Sequence, residues 1–236
     1  MSSADGEHNG DDETMAMKRS AAAGKGGNDA VRRKLARDKV FEVAADLFYR
    51  KGVRAVGVDE IVKTADVAKI SLYRSFPSKD DLVVAYLTER NESFWRQWDD
   101  AFARYRDDPR AQLRAIMRYL ARRTTQDGYR GCPFINYCAE FPDASLPGRR
   151  VAEANKREWR RRLAGIAAAL GAARPKQLAD ALLLLVEGTY AISQTLGGPQ
   201  GPGHAIVWAA EAFLDAQLGR SQARSSARSR SRHAGP

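Results

Sequence analysis

Between Lys69 and Lys79 the chain gathers donors suited to a polyanion. Lys69, Ser71, Tyr73, Arg74, Ser75 and Lys79 lie within one short stretch. Ammonium, guanidinium and hydroxyl groups of this kind hydrogen-bond phosphate oxygens. Ile70 sits among them and either offers a methyl surface to thymine or packs internally. The chemistry of catalysis is thinly represented. Cys132 and Cys138 are the two thiols, and of the three histidines His8 and His233 lie near the chain ends, leaving His204. A thiol nucleophile without a base argues against an enzyme. There is no HExxH and no CxxC pair, and the GKGG at Gly24 lacks phosphate-loop spacing, so no metal or cofactor is expected. Cys132 stands as a redox candidate: it follows Gly131 at an expected helix N-terminus beside Arg130, where positive potential favours the reactive thiolate. The opposing reading is a small buried filler.

The elements that must position these groups read as helices throughout. Leu72 and Phe76, four apart, give a short helix of about 69–76 an inward face, so Lys69, Ile70, Ser71, Tyr73, Arg74 and Ser75 point outward. Pro77 stops it, and Ser78 with Asp81 three residues on resembles a capping box for a long helix. Upstream, Val40, Val43, Ala44, Leu47 and Phe48 mark an amphipathic helix from about Ala30 to Lys51, stopped by Gly52. A further short helix spans Val58–Ala65. Three short helices with a tight turn at Asp66–Val67 form a helix-turn-helix unit, whose last helix enters a DNA major groove. Lys69, Ile70 and Ser71, near its start, are best placed for base edges.

Charge agrees. The 236-residue chain carries +10, with a pI of about 9.8, which favours an anionic partner. Residues 31–79 hold twelve Lys/Arg against six Asp/Glu. The Arg32, Arg33 and Lys34 cluster falls where the first helix would run beside a DNA backbone. Apolar residues at 44% suffice for a core. The longest apolar run, Ala181 to Val186, is too short to span a bilayer, so no membrane partner is expected. Residues 1–28 and the Arg/Ser-rich 220–236 read as disordered tails; the second is a solubilising tail or a non-specific phosphate-binding arm.

Further helices are expected at about 109–126, 132–141, 147–171, 175–197 and 203–219, punctuated by Pro109, Pro142, Pro147, Pro175 and Pro202. The fourth is apolar nearly all round and the fifth is alanine-rich, so together they suit one side of a four-helix dimer interface. The basic run at Arg149 to Arg162 reads as a solvated face. Asn136, Tyr137 and Glu140 are polar groups in an apolar helix.

Arg37 to Leu87 resembles the DNA-binding domain of TetR-family transcriptional regulators. The matching positions are Ala44, Leu47, Phe48 and Gly52, then Val58, Ile61, Ala65, Val67, Leu72, Tyr73, Phe76, Ser78, Lys79 and Leu82. The family's turn glycine is Asp66 here, its helix-capping serine is Ala68, and Gly57 replaces a hydroxyl that often starts the second helix. Asp66 is the candidate to substitute in part for that cap. The resemblance implies an all-α fold of about nine helices: a three-helix DNA-binding domain at 29–78, then a ligand-binding and dimerising domain at 79–219. It implies a cytoplasmic, nucleoid-associated bacterial homodimer on a double-stranded operator. A small-molecule effector or modification of Cys132 would release it; the alternative is a constitutive DNA-binding protein without an effector. DNA contacts would come from Arg32, Arg33, Lys34, Gly57, Lys69, Ile70, Ser71, Tyr73, Arg74, Ser75 and Lys79. The effector would meet a subset of Trp98, Phe102, Phe134, Asn136, Tyr137, Phe141, Trp159, Tyr190 and Gln194, with Glu187 a further polar group and Phe94, Trp95 and Trp208 more often core.

Overall fold

Proline and glycine set the element boundaries. The computed structural model describes residues 10–218, with side chains from Val31 onward. The described residues are helical, with no strand among them. The order is α1 (Gly10–Lys51), α2 (Val58–Ala65), α3 (Lys69–Ser75), α4 (Lys79–Phe102), α5 (Pro109–Thr124), α6 (Pro133–Glu140), α7 (Pro147–Ala169), α8 (Pro175–Ile192) and α9 (205–218). Short 3-10 turns occupy Ala103–Tyr105 and Pro202–His204. Proline stands at the first turn of α5, α6, α7 and α8, where its missing N–H costs nothing.

The all-α expectation and the helix order hold, and the boundaries agree to within a few residues except at α1. That helix begins at Gly10 rather than near Ala30, so part of the stretch expected as a tail has helical backbone. The alanines of that stretch favour helical backbone. The remaining tail residues, 1–9 and 219–236, lie outside the described residues.

α1–α3 form a small bundle. Val40, Ala44 and Phe48 of α1 are buried against Ile61 and Ala65 of α2 and Leu72 of α3. Gly52 ends α1 with φ +91°, and Asp66 ends α2 at φ 52°, a left-handed conformation that aspartate tolerates where the family has glycine. Asp66 does not cap α3: Ala68 takes the N-cap position without a side-chain hydrogen bond, and Ser71 N–H donates to the Ala68 carbonyl at 2.8 Å instead. Ser78 does cap α4, its Oγ accepting from Asp81 N at 3.0 Å while the hydroxyl donates to the Asp81 carboxylate at 2.7 Å.

α4 belongs to both halves. Its first turns bury Leu82, Tyr86 and Leu87. Its end carries an aromatic cluster in which Trp98 lies 4.8 Å from Trp159 and 5.0 Å from Phe102, with Phe94 5.4 Å from Trp159. α9 is pinned to α5 by Glu211, which accepts from Arg110 at 2.7 Å and Arg114 at 2.7 Å. Its Ile206, Ala210 and Leu214 turn inward. Trp208 at 75% exposure, Phe213 at 42% and Leu184 of α8 at 74% are large apolar side chains left exposed in the single chain.

Candidate nucleic-acid interface and signal-receiving site

α3 exposes Ile70 and Tyr73 while burying Leu72, as the four-residue spacing demands. Ile70, at 60% exposure, is therefore not packing within the subunit. The Phe76 ring after α3 stacks on Phe41 of α1 at 6.4 Å and lies under the Arg37 guanidinium at 5.3 Å. This brings α1 alongside α3 and opens a cleft of ≈ 860 Å³ between them. Arg32, Arg33, Lys34 and Arg37 line one wall; Ser71, Arg74 and Ser75 line the other. Basic residues distant in sequence thus converge on one concave face, the form electrostatic recognition of a duplex requires.

Three expected phosphate donors are engaged internally. Lys69 pairs with Asp59 at 2.7 Å, and Ser75 Oγ donates to the Ser71 carbonyl at 3.2 Å. The Lys69 pair is exposed, so a phosphate can displace it. Lys79 differs: its Nζ donates to the Val53 carbonyl at 2.7 Å, and burial lowers its pKa against the opposing pull of Asp80 and Glu140. In this conformation it braces the α1–α2 loop instead of facing a phosphate path. Gly57 is the N-cap of α2, with open space where a side chain would be.

The nine residues expected at the effector do not share one site. Trp98, Phe102 and Trp159 belong to the packed aromatic cluster. Arg162 caps it, 4.5 Å from the Trp95 ring, and is itself held by Glu158 and Asp99. Tyr137 and Phe141 stack on each other at 4.8 Å at the domain junction, where Arg54 of the DNA-binding half lies 5.0 Å over Phe141. Asn136 and Gln194 bond to each other at 3.3 Å, and Asn136 Nδ2 donates to the Arg130 carbonyl at 2.9 Å. They fix the loop before α6. Gly131 there has φ +93°, and an added Cβ would lie 2.5 Å from Gln194 Nε2.

Phe134 and Tyr190 flank a partly buried charged cluster. Cys132, buried at the N-cap of α6, accepts a hydrogen bond from Lys156 Nζ at 3.5 Å, and the same ammonium donates to Glu187 at 2.8 Å. It also lies 5.9 Å from the Phe134 ring and 5.6 Å from the Tyr190 ring. Both cysteines are free thiols. The cation at Cys132 is thus Lys156 and not Arg130, whose Nε instead donates to the Arg50 carbonyl at 3.3 Å. Lys156 lies in the basic run whose composition reads as a solvated face, yet it turns partly inward. Its place four after Ala152 and three before Trp159, both buried, was the available signal.

Sequence reasoning also missed the contacts that join the halves. Tyr49 of α1 donates to the Gly131 carbonyl at 3.3 Å and accepts from Arg130 N at 3.0 Å. Glu140 at the end of α6 accepts from the Arg54 main-chain N–H at 2.7 Å. Gly52 makes room for it: a Cβ there would stand 2.8 Å from Glu140 Oε1. The segment 131–141 therefore touches the Cys132 cluster at one end and the α1–α2 loop at the other. Among the described residues no group of three or more His, Cys, Asp or Glu side chains could hold a metal ion.

Comparison with known proteins agrees with this arrangement. The family model for bacterial regulatory proteins, tetR family, matches residues 40–86. The tetracyclin repressor-like C-terminal domain model matches residues 109–208. The transcriptional regulator AcuR of Cereibacter sphaeroides is 31% identical over 131 residues, 55% of this chain and 60% of AcuR, so the match spans about three fifths of that relative's length. SCO4454, a TetR-family transcriptional regulator from Streptomyces coelicolor, is similar with a TM-score of 0.73 and 28% identity, covering 78% of this chain and 96% of that one. The Streptomyces avermitilis protein sav143 is similar with a TM-score of 0.68 and 30% identity, over 77% and 97% of the two chains. With a basic helix-turn-helix at one end and a separate helical half at the other, the chain belongs to the TetR family of transcriptional regulators, which are DNA-binding proteins and not enzymes.

Proposed function

We propose that this regulator is a dimeric repressor that grips a pseudo-palindromic operator and lets go when a small molecule, or modification of Cys132, alters its second half. The observation that carries the reading is the cleft between α1 and α3, whose walls supply cations from both helices. On a duplex, α3 enters the major groove, with Ile70 and Ser71 toward base edges and Arg74 on phosphate. Two-fold pairing through Leu184, Trp208 and Phe213 sets the two α3 helices about 34 Å apart, one DNA turn. No described helix is long and apolar enough to cross a membrane, in keeping with work on cytoplasmic DNA.

Release needs a route between the halves. Modifying the Cys132 sulfur, or placing a ligand beside it, disturbs the Lys156–Glu187 pair and the start of α6. α6 carries the disturbance to Glu140 and the α1–α2 loop. Such linkage is typically worth about 1–3 kcal/mol, 5- to 150-fold in operator affinity. The test is genomic footprinting with the full chain, with and without peroxide and candidate apolar ligands, alongside light scattering. A two-subunit particle with discrete, palindromic footprints that fade on treatment supports the proposal. A single-subunit particle, or equal grip on random and palindromic DNA, defeats it. Cys132→Ser that keeps its footprint but ignores peroxide assigns release to the thiol.

A further inference from the structure

We infer that the cleft beside Arg123 is a binding site for a small organic carboxylate. The inference rests on the ligand-responsive reading above and names the chemical class of ligand. Arg123, near the end of α5, lies partly buried with its guanidinium among phenol rings. Nη1 donates to Tyr119 Oη at 3.0 Å, and the Tyr129 ring lies 6.0 Å away. Among the described residues no carboxylate stands within ion-pair distance of it, although Arg162, Lys156, Arg110 and Arg114 of the same half each have one. Burial pushes the Tyr129 and Tyr190 phenols up, so neither becomes a counter-anion near neutral pH. A partly desolvated cation whose neighbours are neutral gains when an anion joins it.

The space for that anion adjoins Arg123. A cleft of ≈ 240 Å³ is lined by Arg123, Arg90, Tyr49, Tyr129, Pro133 and Asp127 among others. It falls below the usual size of a drug-like pocket, which suits a compact ligand. Two arginines against one aspartate leave the lining positive. A planar guanidinium matches a carboxylate with two parallel N–H donors. The phenol rings of Tyr49 and Tyr129 supply flat apolar walls for its carbon body. The position is also suited to signalling. Tyr49 belongs to α1 and is bonded to Gly131 and Arg130, so a ligand between Tyr49 and Tyr129 presses on the joint between the halves.

Isothermal titration of the full chain tests this, using small aliphatic and aromatic monocarboxylates, each paired with its neutral primary amide at constant ionic strength. At least one carboxylate should bind tenfold or more tighter than its amide. Arg123→Met should remove that preference. Arg123→Lys, which keeps charge and most of the packing, should weaken the carboxylate about tenfold and leave the amide unchanged. No preference in any pair, or a preference unchanged in both variants, overturns the site. Gel shifts on footprinted DNA separate this from the broader proposal. Carboxylate binding that never releases DNA upholds the site and removes ligand gating; release by peroxide with no carboxylate preference upholds gating and removes the site.

Discussion

The two halves of the chain treat positive charge in opposite ways. In the DNA-binding half the cations line an open cleft between α1 and α3. In the second half Arg123, Lys156 and Arg162 turn inward onto aromatic rings. The first arrangement leaves charge where a long polyanion can reach it and is sensitive to salt. The second holds charge at low dielectric, where one well-placed partner matters far more than ionic strength. A basic composition therefore says little by itself. Which side of the surface the cation takes decides whether its partner is a duplex or a neighbour inside the fold.

The contrast can be broken most severely in the second half. Trp159, buried among Phe94, Trp95 and Trp98, should lose about 3–5 kcal/mol on change to alanine, read by urea unfolding at fixed protein concentration. In the first half, Arg74→Ala should leave the fold intact, weaken operator binding about tenfold, and reduce the slope of log K against log salt by about 1. A buried-type loss of stability there would erase the distinction. Between the halves, Glu140→Ala should cost about 1 kcal/mol of stability by orphaning the Arg54 amide and should shrink the effector response in the same gel shifts. Ala68→Ser, restoring a hydroxyl at the uncapped start of α3, should gain about 0.5–1 kcal/mol in thermal unfolding without altering the salt slope.

Acid provides the finest probe. Hydrogen bonds from Arg161, joined by Arg162, hold the Glu158 carboxyl down at about 2, against an ordinary 4.5. A depressed folded value means that its stabilisation is complete above pH 4.5 and is lost as pH falls toward 2. Glu158→Gln should flatten the pH dependence of unfolding in that window, leaving the variant less stable than the parent at neutral pH and equal to it near pH 2.

Much of the fold was legible because it is locally encoded. Leu72 and Phe76 fix the face of α3, and Ser78 with Asp81 fixes the start of α4. Prolines open four of the later helices. The upstream part of α1 was hidden by its glycines and polar residues, which offer no apolar stripe. The second half's chemistry was hidden for another reason. The partners of Cys132, Arg123 and Glu140 lie 24, 4 and 86 residues away, and only the four-residue spacing follows from a single helix. Lys156 looks like any other member of a basic run until α7 packs against α8. The aromatic and polar candidates for the effector subset fall into separate clusters for the same reason.

The Glu140 contact has an evolutionary corollary. Its keeper at position 54 is a peptide N–H, a group shared by nineteen of the twenty amino acids. The side chain there can change without losing that hydrogen bond, though its contact with Phe141 changes with it. Only proline, which lacks the hydrogen, would sever the link outright. The sequence at position 54 can thus vary while the tie between the α1–α2 loop and α6 persists.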